Sequence, residues 1–174
     1  QQTALEIARR SIVLLKNESL LPVDTRKFKK ILVTGPNANS QSIMGDWVFE
    51  QPEKNVSTIL EGIKEEASGT QINYVDVGWN MRALDSAKIE EAIQTAKSSD
   101  LAIVIVGEDS FRQHWKEKTC GENRDRMDIT LWGKQDYLVE SIYKTGVPTI
   151  VILINGRPLA TRWIAENIPA VIEA

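Results

Sequence analysis

The chain is poor in the residues that staple or plate a protein. It holds one cysteine, Cys120, and one histidine, His114, among 174 residues. A single cysteine excludes an internal disulfide, though it fixes no compartment, since many exported proteins also lack them. One histidine and one cysteine give a thin set of soft metal ligands. His114, Cys120, Glu108, Glu117 and Glu122 are the available donors, and the His114 to Cys120 spacing matches no standard zinc pattern. The reading is therefore no metal and no cofactor, with His114 a solvated loop residue. No apolar run approaches the roughly 20 residues that span a bilayer, so no membrane partner is expected. Charge of one sign is also missing. The formal net charge is −3, which argues against a broad nucleic-acid footprint. Repeats and low-complexity segments are absent.

Ordinary globular proportions remain, with 42% hydrophobic and 26% charged residues. The length fits one domain over residues 1–174 and allows a substantial core. The chain begins at Gln1 inside a helical pattern and stops at Ala174 within a strand pattern. It therefore reads as a piece of a longer multidomain protein, and the missing leader tells nothing about where that protein resides. Localisation stays open, with a soluble domain expected and export of the parent as one option.

Helix and strand patterns alternate. Ala4, Leu5, Ile7, Ala8, Ile12 and Leu15 recur at helical spacing and predict a helix over about 3–15. Apolar strands are predicted at Lys30–Gly35, Ile72–Val77, Leu101–Gly107, Pro148–Ile154 and from Ala170 onward. Between them lie a helix capped by Asn55 or Ser57 and running to about Ala67, and one capped by Asp85 and running to about Lys97. Two more follow at about Lys134–Lys144 and Leu159–Glu166. Ser40–Asn55 has no periodicity and reads as a surface loop. Near-continuous Val/Ile/Leu strands separated by helices predict a mainly parallel, doubly wound α/β sheet with helices on both faces, a flavodoxin-like sandwich.

In such a fold the strand-end loops gather on one edge, where ligands bind. Here they are Thr34–Asn39, Gly78–Asn80, the segment from Gly107, and Asn155–Pro158. Their Asn, Trp, Arg and carboxylate groups suit a polyhydroxylated ligand, with amides and acids bonding hydroxyls and a Trp face covering a sugar ring. The Thr34–Ser40 turn follows a strand as phosphate loops do, but it lacks both glycine-rich phosphate fingerprints and reads as a plain βα turn. The longest of these loops, Glu108–Asp128, is almost wholly polar or charged, and loops of that length are uncommon unless functional or disordered. Its densest part is Cys120-Gly121-Glu122-Asn123-Arg124-Asp125-Arg126. Arginines flanking an acid normally favour its carboxylate, whereas a general acid needs its proton held. One way out is for Asp125 to tie up Arg124 and Arg126, a choice the residues alone leave open. On residues alone, a surface ion-pair cluster is the favoured reading.

The order of several short motifs adds to this. Ala8-Arg9-Arg10-Ser11-Ile12-Val13-Leu14-Leu15-Lys16-Asn17 is followed by Leu20-Leu21-Pro22, Gly35-Pro36-Asn37-Ala38 and Gly45-Asp46-Trp47. Val106-Gly107-Glu108, Glu122 with Asp125-Arg126, Leu131-Trp132-Gly133-Lys134-Gln135 and Asn155-Gly156-Arg157-Pro158-Leu159 complete the series. In this order they resemble the C-terminal sandwich domain of glycoside hydrolase family 3, the β-glucosidase and β-xylosidase family. Trp132-Gly133 stands where that family more often has Pro-Gly.

The resemblance implies a retaining glycosidase whose active site lies between two domains. An N-terminal barrel would carry the nucleophilic aspartate, and this domain the acid/base glutamate. Neither the barrel nor the glycine-rich stretch expected after Ala174 lies within these 174 residues. The acid/base role falls on Glu122, with Glu108 and Glu117 as runners-up. Glu108 is read instead as a strand-end residue holding the loop by hydrogen bonds. Arg124, Asp125 and Arg126 would brace the loop. Trp47 would flank the leaving-group sugar or simply pack. The implied substrate is a β-linked oligosaccharide or aryl glycoside, and the implied protein partner is the parent's own barrel. Without that barrel the loop is expected to be the least ordered part of the fold, and the chain inactive. The rival reading is a non-catalytic flavodoxin-like module binding a nucleotide or sugar.

Overall fold

A computed structural model describes residues 2–174. Six strands form one sheet in the order β1-β6-β5-β4-β2-β3, with β1 at Val13–Asn17, β2 at Lys30–Thr34, β3 at Gln71–Val75, β4 at Leu101–Gly107, β5 at Thr149–Ile154 and β6 at Ala170–Glu173. Five strands are parallel neighbours, and β1 adds antiparallel to β6. Numbered among themselves, the parallel strands run 2-1-3-4-5, which is the flavodoxin-like winding. Five α-helices accompany them: α1 Gln2–Ser11, α2 Ile59–Glu66, α3 Ser86–Ala96, α4 Gln135–Tyr143 and α5 Arg162–Asn167.

Each face of the sheet has its own core. Leu32, Ala102, Val104, Val106, Val151 and Val171 point towards α3, α4 and α5, meeting Ile89, Ile93, Leu138, Ile142 and Ile164. Alternate residues Ile31, Val33, Leu101, Ile103, Ile105 and Ile150 face the other way, onto Leu60 of α2 and the Leu20–Phe28 segment. Every residue of β4 is buried. That is why its sequence is an unbroken apolar run rather than an alternation.

The first expected helix is corrected. It stops at Ser11, and Val13–Asn17, expected in part as its last turn, is an extended edge strand paired with β6. Ile12, Val13, Leu14 and Leu15 fit helical spacing, but β-branched residues at 12 and 13 also favour a strand. Tertiary pairing decides between them. α2 is capped by Thr58, not Asn55 or Ser57. Its hydroxyl accepts from the N–H of Glu61 while the Glu61 carboxylate accepts from the N–H of Thr58, a reciprocal capping box. Asp85 caps α3 as expected, accepting from the N–H groups of Ala87 and Lys88. The Ser40–Asn55 stretch is a loop with two 3-10 turns, Gln41–Met44 and Glu53–Asn55. No helix among the described residues is long and apolar enough to cross a membrane.

Two glycines set the edge where the loops emerge. At Gly35 and Gly107 φ is +112° and +149°, and a Cβ on either would stand 2.0 Å from the carbonyl oxygen of Ile105 or Ile154 respectively. Only glycine lets the chain leave each strand so close to its neighbour. The two exits flank the point between β2 and β4 where the winding reverses, the usual ligand crevice of an open α/β sheet.

Candidate active site

Glu108 is the first residue out of β4. Its N–H bonds the Ile154 carbonyl at 2.7 Å, and its carboxylate turns inward, fully buried. Oε1 lies 3.3 Å from Nη1 of Arg126 and 3.4 Å from Nε of Arg157, and Oε2 accepts from the Gly156 N–H at 3.3 Å. Two guanidinium groups balance this buried charge, which would otherwise be strongly unfavourable. On the opposite side, Asn37 donates from Nδ2 to the Glu108 carbonyl at 3.1 Å. Gln135 then clamps Gly107 by both its N–H and its carbonyl, at 2.8 and 3.0 Å. Loops after β2, β4 and β5 are thereby joined around one residue.

Asp109 closes the first half of the long loop. Its backbone N–H bonds Oγ1 of Thr119 at 2.9 Å. Its carbonyl accepts from the N–H groups of Thr119 and Cys120. One carboxylate oxygen accepts from the Phe111 N–H at 2.8 Å, and the other meets Nδ1 of His114 at 2.6 Å. His114 is thus not the solvated residue expected from sequence. It is paired with a buried aspartate and stacked on Trp79, ring centroids 3.9 Å apart. The contact brings in the loop after β3. The expectation that the whole loop would stand loose is likewise corrected for this half, because Phe111, Lys118, Thr119 and Cys120 are core residues.

The chain then turns outward. Gly121 and Asn123 both have positive φ, +88° and +58°, and the Arg124 N–H returns to the Gly121 carbonyl at 3.2 Å. Glu122 sits at the crest of this turn with its side chain 43% exposed. Oε2 accepts from Nη2 of Arg112 at 2.7 Å, while Oε1 has no protein partner among the described residues. The Arg112 guanidinium lies over Trp47, its central carbon 3.8 Å from the ring centroid. Ring, guanidinium and carboxylate form a short stack at the mouth of the crevice. Trp47 itself is 76% exposed, so it is no packing residue of the core.

The other candidates divide. Arg126 bonds the Thr130 carbonyl at 2.6 Å besides its pairing with Glu108, and lies 4.4 Å from the Trp132 ring centroid. Arg124 donates to the Trp115 carbonyl, and Arg157 donates to the Arg124 carbonyl at 2.8 Å. Both arginines tie the outer loop to its root. Asp125 does not join them. It is exposed and takes part in none of the ion pairs among the described residues, so it does not tie up Arg124 and Arg126. Those guanidinium groups are engaged by backbone carbonyls and Glu108 instead. Glu117 is half-buried, and its carbonyl accepts from Nε of Arg82 at 3.4 Å. A pocket of about 510 Å³ opens beside this outer turn, between Arg82, Arg126 and Trp132. No cluster of three or more metal-ligating side chains occurs among the described residues.

Two site residues escaped the sequence reading. Asp46 binds the backbone N–H of Glu122 at 2.6 Å through Oδ2, and Arg112 reaches its side chain. Burial alone would raise the Asp46 pKa. The Glu122 N–H, the Lys118 ammonium and the Arg112 guanidinium outweigh burial and hold it below the ordinary carboxylate value. Asp46 stands in the Gly45-Asp46-Trp47 motif, but its partner is 76 positions away, and no periodicity reports a contact of that range.

An open, doubly wound sheet whose edge loops converge on an exposed glutamate defines a flavodoxin-like α/β domain with a loop-borne carboxylate at its crevice. Within that class the chain belongs to glycosyl hydrolase family 3: the model of the family's C-terminal domain matches residues 12–174. It is 40% identical to a β-xylosidase of Formosa agariphila, over 99% of this chain and 24% of the relative. It is 31% identical to a periplasmic β-glucosidase of Salmonella typhimurium, again over 99% and 24%. Among solved structures, a family 3 exo-β-xylosidase in complex with a xylobiose aziridine probe superposes with a TM-score of 0.82 at 28% identity, over 99% of this chain and 21% of that one. A β-glucosidase from Listeria innocua in complex with glucose gives 0.83 at 26% identity, over 99% and 22%. The chain spans about a quarter of the length of the curated relatives it matches.

Proposed function

We propose that this domain supplies Glu122 as the general acid/base of a retaining β-glycosidase, acting on terminal β-D-glucosyl or β-D-xylosyl residues in the full-length protein. The observation that carries the reading is the posture of Glu122. It is the carboxylate that the loop lifts to the crevice mouth, held at its backbone and with Oε1 uncommitted. Glu108 is fully enclosed by Arg126, Arg157 and Gly156, which suits a brace and denies it access to substrate.

The chemistry takes two steps. A nucleophilic aspartate on the N-terminal barrel attacks the anomeric carbon, and the glycosidic C–O bond breaks as Glu122 gives its proton to the leaving oxygen. Glu122, now a carboxylate, takes a proton from water, whose oxygen displaces the aspartate and releases the sugar with retained configuration. The two carboxyl groups of such a pair stand roughly 5–5.5 Å apart. Trp47, exposed beside Glu122, offers an apolar face to the leaving-group sugar.

In the full-length protein, Glu122→Ala is expected to lower kcat/KM for glycosides with poor leaving groups by on the order of 10²–10⁴-fold, since those need proton assistance. A 2,4-dinitrophenyl glycoside, whose leaving group needs no proton, should retain its kcat/KM. Equal losses with both would refute the assignment. Glu108→Gln, by contrast, should weaken folding rather than discriminate between leaving groups.

A further inference from the structure

Asp46 lies outside the loop that carries Glu122, yet its contacts converge on that residue. Oδ2 accepts from the Glu122 N–H at 2.6 Å and from Nζ of Lys118 at 3.0 Å. Oδ1 lies 3.5 Å from Nε of Arg112, whose Nη2 is 2.7 Å from Glu122 Oε2. One carboxylate therefore hydrogen-bonds the main chain of Glu122 and, by a longer ion pair with no hydrogen bond, faces the Arg112 guanidinium that binds its side chain.

The surroundings are shaped around this grip. At Gly121 a Cβ would stand 2.5 Å from Asp46 Oδ2, so any larger residue would push the carboxylate away. Lys118 is fully buried, at 0% exposure, and sits 4.5 Å from the Trp115 ring centroid. A buried ammonium requires a paired anion, and Asp46 is the one it meets. The turn being held carries Asn123 at φ +58°, a backbone state that non-glycine residues adopt sparingly and that neighbouring contacts must maintain. Trp47 follows Asp46 directly and stacks on the same Arg112. A single dipeptide thus anchors both the aromatic face at the crevice mouth and the acid.

We infer that Asp46 is a positioning residue for proton transfer: it sets the height of Glu122 by accepting from its backbone N–H and steadies its rotamer by charge pairing with the guanidinium that binds its carboxylate. This rests on the acid/base reading of Glu122. A displacement of about 1 Å in a reacting group can cost on the order of 10²-fold in rate, so loss of the grip should appear as loss of acid assistance.

The test uses the full-length protein with Asp46→Asn, which keeps the shape but removes the charge, and Asp46→Ala, which removes the carboxylate altogether. Both should lower kcat/KM for a phenyl glycoside about 10- to 100-fold and leave that for a 2,4-dinitrophenyl glycoside nearly unchanged. The activated substrate also reports how much enzyme is folded. On a Glu122→Ala background, Asp46→Asn should add no further loss. Equal losses on both substrates, or a loss that persists undiminished without Glu122, would overturn the positioning role. If Glu122→Ala itself shows no leaving-group dependence, the acid/base reading fails and takes this role with it. Dependence in Glu122→Ala but not in Asp46→Asn retires the positioning role alone.

Discussion

Cys120 lies beneath the Glu122 turn, where burial, the Glu108 carboxylate and a hydrogen bond to it push the thiol up to about 12. The thiolate is the reactive form, so the folded chain should not react with a disulfide reagent at pH 8, and should take up one equivalent once unfolded. Rapid labelling of the native chain would contradict the burial described. Gly156 packs against this sulfur so closely that a Cβ there would come within 2.7 Å, which ties the glycine of the Asn155–Pro158 loop to the root of the site. Asp46 makes the opposite case. Its folded pKa is depressed, so its stabilising contribution is complete above the unfolded value of about 3.9 and is lost as pH falls through the folded value. Asp46→Asn should therefore flatten the decline in denaturation midpoint between about pH 5 and pH 3. Parallel curves for the two proteins would show that the carboxylate is not engaged as described.

The α-helices and strands were legible where local chemistry and burial agree. Asp85 announces α3 because a short acid before Ile89, Ala92, Ile93 and Ala96 satisfies two orphan N–H groups at the start of a buried stripe. Asp85→Ala should cost about 1 kcal/mol, and Asp85→Asn little, as read from chemical denaturation. The central parallel strands β2, β4 and β5 were legible because burial on both faces leaves apolar runs. β1 was not. It is an edge strand with Val13, Leu14 and Leu15 all exposed, so no burial pattern marks it, and its identity comes from pairing with residues more than 150 positions later. Thr58 hid for a related reason: its neighbours Asn55 and Ser57 are equally good caps in isolation, and the reciprocal bond with Glu61 selects it.

At the scale of the whole molecule, the winding brings four loops to one edge and builds the site from residues far apart in sequence. The position of that edge followed from the strand pattern. The motif series pointed to Glu122, Trp47 and the two arginines Arg124 and Arg126. What stayed invisible was the pairing: that Asp46 rather than Asp125 faces a cation of the loop, that Arg112 bridges Trp47 and Glu122, and that His114 closes on Asp109. Each is a contact between side chains whose types are common on any surface, and only the fold selects the partner. Because the proposal puts the nucleophile on a separate N-terminal domain, the isolated 174-residue chain is expected to show no turnover of 4-nitrophenyl β-glucoside or β-xyloside. Turnover abolished by Glu122→Gln would mean that this domain holds a complete site.

The central claim is that Glu122 is the acid/base, and azide tests it most directly. In a full-length Glu122→Ala protein acting on an activated glycoside, the glycosyl-enzyme should accumulate, because no base remains to activate water. Azide needs no such base and fits the space left by the side chain. It should restore kcat in a concentration-dependent way and yield the β-glycosyl azide, with the configuration retained. An azide-insensitive kcat with only free sugar as product would contradict the assignment.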